Sequence, residues 1–210
     1  SGILSDGLSD TSPLFQLISK YIDQDFLKKV ANEYTTKNRW LLIGTTNLDA
    51  GVPVVWNMGK IASIGTPEAL ELFRKVMLAS ASIPGAFSPV MFDFEVSGQS
   101  FQEMHVDGGV TAPLFVMPEA LLRWKVLGQR LQGSRVYAIV NMSLEQIPQT
   151  TEPGIIAVLA RSFDTMLRSS YRQALSLVAN FCVLNQLPLS VASIPPDAAA
   201  GNMLTFDTAV

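Results

Sequence analysis

The stretch Met104-His105-Val106-Asp107-Gly108-Gly109-Val110 decides the predicted fold, because a strand there runs directly into a carboxylate and two glycines. The strand is expected from Phe101 to Val106, with side chains that alternate between its two faces. In open α/β sheets, ligands bind just outside the carboxyl ends of strands, and Asp107 stands at such an end. The paired glycines allow an immediate turn with positive φ and place no side chain beside the carboxylate. Taken alone, the stretch is also typical of an ordinary Asp-Gly turn.

The composition predicts one globular domain over residues 1–210 and excludes several classes of partner. With 48% hydrophobic and 16% charged residues, the chain is able to bury a core and is not disordered. The net charge of −3 and the lack of a basic tract argue against nucleic-acid binding. No apolar stretch reaches the roughly 18–20 residues that span a bilayer, and the first residues do not form a signal peptide. We therefore expect a soluble or peripheral protein of unknown compartment.

The chain contains one histidine, His105, and one cysteine, Cys182. These counts exclude an internal disulfide, a cysteine metal cluster and a multi-histidine metal site. Asp107 also lacks carboxylates or histidines at ligand spacing, so neither a metal nor a cofactor is expected. A Ser-His-Asp triad could use only His105, which is too near Asp107 along the strand to be oriented by it. Cys182 falls in an apolar helix and is expected to be a core residue.

Hydrophobic periodicity predicts an alternation of helices and strands, which indicates a layered α/β domain without an internal repeat or linker. Helices are expected over residues 12–22, 23–34, 118–132 and 154–184, and from Thr66 up to Pro84. Strands are expected over residues 39–46, 53–58, 90–96, 101–106, 135–141 and 187–194. The first and fifth of these strands are short apolar runs typical of strands buried on both faces. The first and second strands, and the third and fourth, are expected to pair as hairpins.

Three stretches of the chain carry a resemblance to a known family, and they are Leu42–Gly51 with Val54–Asn57, Ala79–Phe87, and Val106–Gly109. A helix that ends in Ala-Ser-x-Ser-x-Pro, followed by a hairpin and then by Asp-Gly-Gly, resembles the bacterial members of the patatin-like phospholipase family of lipid acyl hydrolases. The resemblance covers nearly the whole chain, from Leu8 to Thr208. It implies a three-layer α/β/α fold and hydrolysis of fatty-acyl esters of lipids by a Ser-Asp dyad.

In that family the aspartate of an Asp-Gly-Gly motif replaces the usual histidine as the base of the serine. By resemblance, the base is Asp107 in the motif Asp107-Gly108-Gly109. The candidates for the lining of the site are Ser80, Ser82, Pro84 and His105. Close packing at a helix end is the simpler reading of the serines, and a locally satisfied hydrogen bond is the simpler reading of the histidine.

The sequence departs from the family pattern at the nucleophile. No serine has glycine two residues before it and two residues after it, and no glycine-rich loop is present. By resemblance both elements precede Ser1, so we expect a patatin-like sheet that is incomplete at the N-terminus. We further expect a chain that is inactive alone, that self-associates or pairs with the missing N-terminal part, and that contacts a membrane surface transiently. The alternative is a non-catalytic α/β domain that binds lipid or protein.

Overall fold

A computed structural model describes residues 10–114, 131, 133–145, 148 and 150–195. The chain divides into two compact units, Ser1–Ala112 and Pro113–Val210. Both units combine helices with strands, so the predicted mixed α/β class is confirmed. The helix expected over residues 118–132 lies outside the described residues, apart from position 131. Among the described residues, no helix is both long and apolar enough to cross a membrane.

Within residues 10–112, the described part of the first unit, there are four helices, four strands and a short 3-10 helix. The helices are α1 (Ser12–Tyr21), α2 (Gln24–Lys37), α3 (Met58–Ile64) and α4 (Pro67–Ser80). The strands are β1 (Leu42–Asn47), β2 (Val52–Asn57), β3 (Val90–Val96) and β4 (Gln99–Asp107), and the 3-10 helix is Gly108–Val110.

Side chains that accept main-chain hydrogen bonds begin the second and fourth helices. At the start of α2, Asp23 Oδ1 accepts from the Phe26 N–H at 2.8 Å. At the start of α4, Thr66 Oγ1 accepts from the Ala69 N–H at 3.2 Å. Pro67 occupies the first turn of α4, where a missing N–H leaves no helical hydrogen bond unmade. Both starts confirm the predictions from the sequence.

Helix α3 is absent from the sequence-based prediction. Asn57 ends β2 and at once caps α3, because its Oδ1 accepts from the Lys60 N–H at 2.9 Å. Gly65, with φ of 74°, ends the helix in the left-handed conformation. Helix α2 is also longer than predicted, since it runs to Lys37 before Asn38 ends it with φ of 51°.

The strands of the first unit form one antiparallel sheet in the order β2-β1-β4-β3. The β1–β2 and β3–β4 pairs are the two predicted hairpins. A short ladder joins them, in which the paired residues are Thr45 with Asp107, Thr46 with Val106, and Asn47 with His105. The end of β4 is therefore attached to the middle of the sheet through a few residues of β1.

The core of the first unit lies between the helices and one face of this sheet. Its fully buried side chains include Leu27, Met58, Phe73, Val76 and Phe92. The rings of Trp56 and Phe92 stack on the sheet with centroids 5.1 Å apart. Burial of apolar side chains on this scale is the main source of stability for such a layer.

The described residues of the second unit form β5 (Val136–Val140), α5 (Ile155–Leu184) and β6 (Leu189–Ser193), and β5 pairs with β6 in parallel. Cys182 is buried in the core of this unit, as expected, together with Val178 and Leu187. The prediction that β5 is buried on both faces is wrong, because Tyr137 and Ile139 are exposed.

The apolar residues that recur at helical spacing along α5 are buried only in part. Near the start of the helix Ile156 and Leu159 are exposed, as is Met166 further along. Toward the end of the helix Val178 is buried and Phe181 packs against the core. Helical periodicity therefore identified an apolar face of α5 without identifying which part of it packs against the core.

Glycine at position 59 is required by the packing of α3 on α2, and we predict that Gly59→Ala destabilises the first unit. An added Cβ would lie 2.6 to 2.7 Å from the Cβ, Cγ and Cδ2 atoms of Tyr34. Alanine in a helix interior is favoured over glycine by about 1 kcal/mol, whereas overpacking costs about 1–3 kcal/mol. We expect a net loss in the free energy of unfolding, measured by urea denaturation followed by circular dichroism.

The matched control is Ser63→Ala, at an exposed position of the same helix. It changes the unfolding free energy by less than about 0.5 kcal/mol. A Gly59→Ala variant that is more stable than the parent chain would contradict the proposed close packing.

Candidate functional site

Asp107 ends β4, and three different segments hold it in place. Its N–H donates to the Ser82 carbonyl at 3.0 Å, and its carbonyl accepts from Thr46 Oγ1 at 3.1 Å. Its side-chain Oδ1 accepts from the Gly109 N–H at 2.7 Å, which caps the 3-10 helix. The backbone position and one carboxylate oxygen are thus fixed by hydrogen bonds.

Gly108 lets the turn after Asp107 pack directly against β1. A Cβ at this position would lie 2.6 Å from the Gly44 carbonyl oxygen and 2.7 Å from its carbon. Both atoms belong to the backbone and are unable to move aside without disturbing the strand. Neither Gly108 nor Gly109 has a positive φ, so the prediction that the paired glycines allow a turn with positive φ is wrong. Close approach, and not a left-handed turn, requires glycine at position 108.

The second carboxylate oxygen of Asp107, Oδ2, has no hydrogen-bond or ion-pair partner within the described part of the chain. Burial raises the pKa of the Asp107 carboxyl above its usual range, and the hydrogen bond from Gly109 offsets only part of that rise. A carboxylate with one oxygen anchored, the other unpaired and a raised pKa is suited to accept a proton.

The segment after α4 contacts Asp107 through its backbone. Ser82 is fully buried, and its hydroxyl donates to the Leu78 carbonyl at 2.8 Å, so only its carbonyl reaches Asp107. Ser80 and Pro84 are half-buried. The structure therefore brings Ser82, one residue of the predicted lining, into contact with Asp107 through its carbonyl. The Ser82 hydroxyl instead bonds within the end of α4.

His105 is fully buried on the helix-covered face of the sheet. Its ring packs beside the stacked rings of Trp56 and Phe92, with centroid distances of 5.8 and 4.8 Å. Its Nδ1 lies 2.9 Å from Thr45 Oγ1, and its Nε2 lies 3.2 Å from Glu103 Oε2. These contacts agree with the simpler interpretation of His105, in which its ring is satisfied by hydrogen bonds to neighbouring side chains.

The partners of His105 suit the tautomer that carries a proton on Nε2. In that tautomer Nε2 donates to Glu103 Oε2, and Nδ1 accepts from the Thr45 hydroxyl. The Trp56 indole N–H donates to Thr45 Oγ1 at 2.8 Å. The order carboxylate, histidine, hydroxyl resembles that of a hydrolytic triad. Thr45 and His105 are both 0% exposed, however, so no substrate reaches this hydroxyl.

Sequence reasoning missed the polar residues that bind β4. Besides Thr45 and Thr46, Asp49 in the β1–β2 turn accepts from the Met104 N–H through Oδ2 at 2.7 Å. The Leu48 N–H of the same turn donates to the Met104 carbonyl at 2.8 Å. The sequence offered one signal for these contacts, which is the pair of adjacent threonines in a strand predicted to be buried. Buried hydroxyls need hydrogen-bond partners.

Comparison with protein-family models gives no match to this chain, and comparison with curated proteins gives no significant match. Among the described residues, no group of three or more His, Cys, Asp or Glu side chains is placed to hold a metal ion. The resemblance to the patatin-like phospholipases stays a prediction from the sequence.

The raised pKa of Asp107 predicts a specific dependence of stability on pH. Because the folded chain holds this proton more tightly than the unfolded chain, the ionised carboxylate destabilises the fold as pH rises from the usual value of 3.8 through the raised one. Asp107→Asn keeps an oxygen for the Gly109 N–H and removes the charge. We expect the variant to gain stability relative to the parent chain between about pH 3 and pH 7, measured by urea unfolding.

The control is Asp23→Asn, which alters a similar cap at an exposed position. There the lost charge lies at a helix N-terminus, so the variant is expected to be slightly less stable than the parent chain at pH 7. A gain of stability in both variants at pH 7 would count against a desolvated carboxylate at position 107.

Proposed function

We propose that this chain is the base-bearing part of a patatin-like serine hydrolase, which cleaves fatty-acyl esters of lipids by a Ser-Asp dyad. The observation that carries the proposal is the state of Asp107 at the end of β4. Its Oδ1 is anchored by Gly109, its Oδ2 has no partner among the described residues, and burial raises its pKa. The three-layer α/β/α arrangement and a single domain that includes both units belong to the same proposal.

In the proposed reaction Asp107 acts twice as a proton carrier. Oδ2 accepts the proton of the serine hydroxyl while the serine oxygen attacks the acyl carbonyl, and the proton then passes to the departing alcohol oxygen. In the second half Asp107 accepts a proton from water while the water oxygen attacks the acyl carbonyl, the ester bond to the serine breaks, and the proton passes to the serine oxygen as the fatty acid leaves. An aspartate with an ordinary pKa is a weak base at neutral pH, and the rise caused by burial makes it a stronger one.

The environment of His105 supports an aspartate as the base. His105 is the one histidine of the chain, and both of its ring nitrogens are engaged by Thr45 and Glu103 in a buried network. A serine outside these 210 residues would therefore need another group of this chain, and among the described carboxylates Asp107 is the one whose pKa is raised by burial. The proposed lining includes Ser80, Ser82 and Pro84.

The nucleophile is proposed to lie upstream of this sequence. Loss of the serine removes on the order of 10⁶ in rate in a serine hydrolase, whereas a general base contributes about 10²–10⁴. The chain alone is therefore expected to lack esterase activity. The apolar side chains exposed on α5, such as Ile155 and Ile156, support self-association or pairing with the missing part, and also a transient contact with a membrane surface.

The proposal predicts that Asp107 is essential in the complete protein that carries the upstream serine. Asp107→Asn should lower kcat/KM for a short-chain nitrophenyl ester by about 10²–10⁴, because the amide is unable to accept the proton. Glu103→Gln is the matched control, since this carboxylate lies on the same strand and bonds to the buried His105. It is expected to change the rate much less.

The chain of 210 residues should show no turnover and no labelling by a fluorophosphonate probe. Turnover by this chain that survives Asp107→Ala would refute the dyad. If the sequence upstream of Ser1 contains no Gly-x-Ser-x-Gly motif, a non-catalytic domain that binds lipid or protein becomes the better proposal.

A further inference from the structure

The junction between β1 and β4 contains two adjacent threonines whose hydroxyls reach opposite faces of the sheet. Successive side chains of a strand point to opposite faces, so Thr45 and Thr46 are unable to serve the same partner. Thr45 bonds to the His105 ring, and Thr46 bonds to the Asp107 carbonyl. Both threonines are buried, and each hydroxyl holds β4 within its last few residues.

On one face, a line of hydroxyls fixes both ends of the turn after β4. A carbonyl only accepts, so the Thr46 hydroxyl donates its single hydrogen to the Asp107 carbonyl. In the 2.8 Å contact between Thr46 Oγ1 and Thr111 Oγ1, the donor is therefore Thr111. Asp107 precedes the 3-10 helix and Thr111 follows it. The Gly109 N–H lies between these two points and is thereby directed at Asp107 Oδ1.

On the other face, the line of donors runs from Trp56 through Thr45 and His105 to Glu103. In the Nε2–H tautomer of His105 each member donates to the next, and the line holds β4 at the residue two positions before Asp107. The end of β4 is thus held from both faces of the sheet. Thr45 holds it from the helix-covered face, and Thr46 holds it from the opposite face.

We propose that Thr45 and Thr46 form a clamp, and that Thr46 is a positioning residue for the general base Asp107. This inference rests on the proposed function. With the Asp107 N–H bound to Ser82, the clamp leaves the carboxylate in one orientation, with Oδ2 directed at the reacting serine. A displacement of about 1 Å in such a group lowers the rate by about a hundredfold.

The test compares Thr46→Val, which has no hydroxyl, with Thr46→Ser, which keeps it. In the full chain, hydrogen exchange measured by NMR should show the Gly109 amide exchanging roughly fivefold to tenfold faster in Thr46→Val, because a typical hydrogen bond is lost. Thr46→Ser should restore slow exchange. The amides of the β1–β2 ladder serve as the internal reference and should stay unchanged.

In the complete serine-bearing protein, Thr46→Val should lower kcat by about tenfold to a hundredfold and leave KM unchanged, and Thr46→Ser should recover most of the loss. Thr111→Val, at an exposed position, removes the outer link alone and should produce a smaller effect in the same direction. It also provides the test if Thr46→Val fails to fold.

The outcomes separate the clamp from the proposed function. An unchanged Gly109 exchange rate and an unchanged kcat in the Thr46 or Thr111 variants would overturn the clamp, even if Asp107→Asn is inactive. Full activity of Asp107→Asn would overturn the proposed function and with it the catalytic role of Thr46.

Discussion

The short ladder between β1 and β4 is the interaction on which the first unit depends. It joins two hairpins that otherwise share few main-chain hydrogen bonds, and it places the end of β4 beside the middle of the sheet. The close approach of Gly108 to the Gly44 carbonyl makes this junction tight. Because a Cβ has no space there, the turn after Asp107 has one available position against β1. The location of the carboxylate follows from that contact.

The buried polar groups at this junction contribute more to specificity than to stability. An intramolecular hydrogen bond adds only about 0.5–1.5 kcal/mol net, whereas a buried polar group without a partner costs about 1–3 kcal/mol. Thr45, Thr46 and His105 all have partners, so alternative pairings of β1 with β4 would leave several of them unsatisfied. The free-energy cost of a misaligned β1–β4 pairing is therefore larger than the free energy gained from the correct hydrogen bonds.

Local signals predicted much of the fold, and long-range contacts explain what they missed. The caps at Asp23 and Thr66 and the two hairpins are encoded in neighbouring residues. Helix α3 was missed because Asn57 both ends a strand and caps a helix. For the site, the place of Asp107 followed from its strand, whereas the Thr45–His105 bond joins segments 60 residues apart in sequence. Periodicity carries no information about such partners.

The turn between β1 and β2 is joined to β4, and this has a consequence for insertions and for chain cleavage. Leu48 and Asp49 both bond to the main chain of Met104, so the turn acts as part of the sheet. Added residues there would break both contacts at a distance from the hairpin itself. Among the described residues, the exposed turn at Ser97 and Gly98 has its bonds within its own hairpin. Epitope tags, new chain ends and natural variation in length are therefore suited to the β3–β4 turn and excluded from the β1–β2 turn.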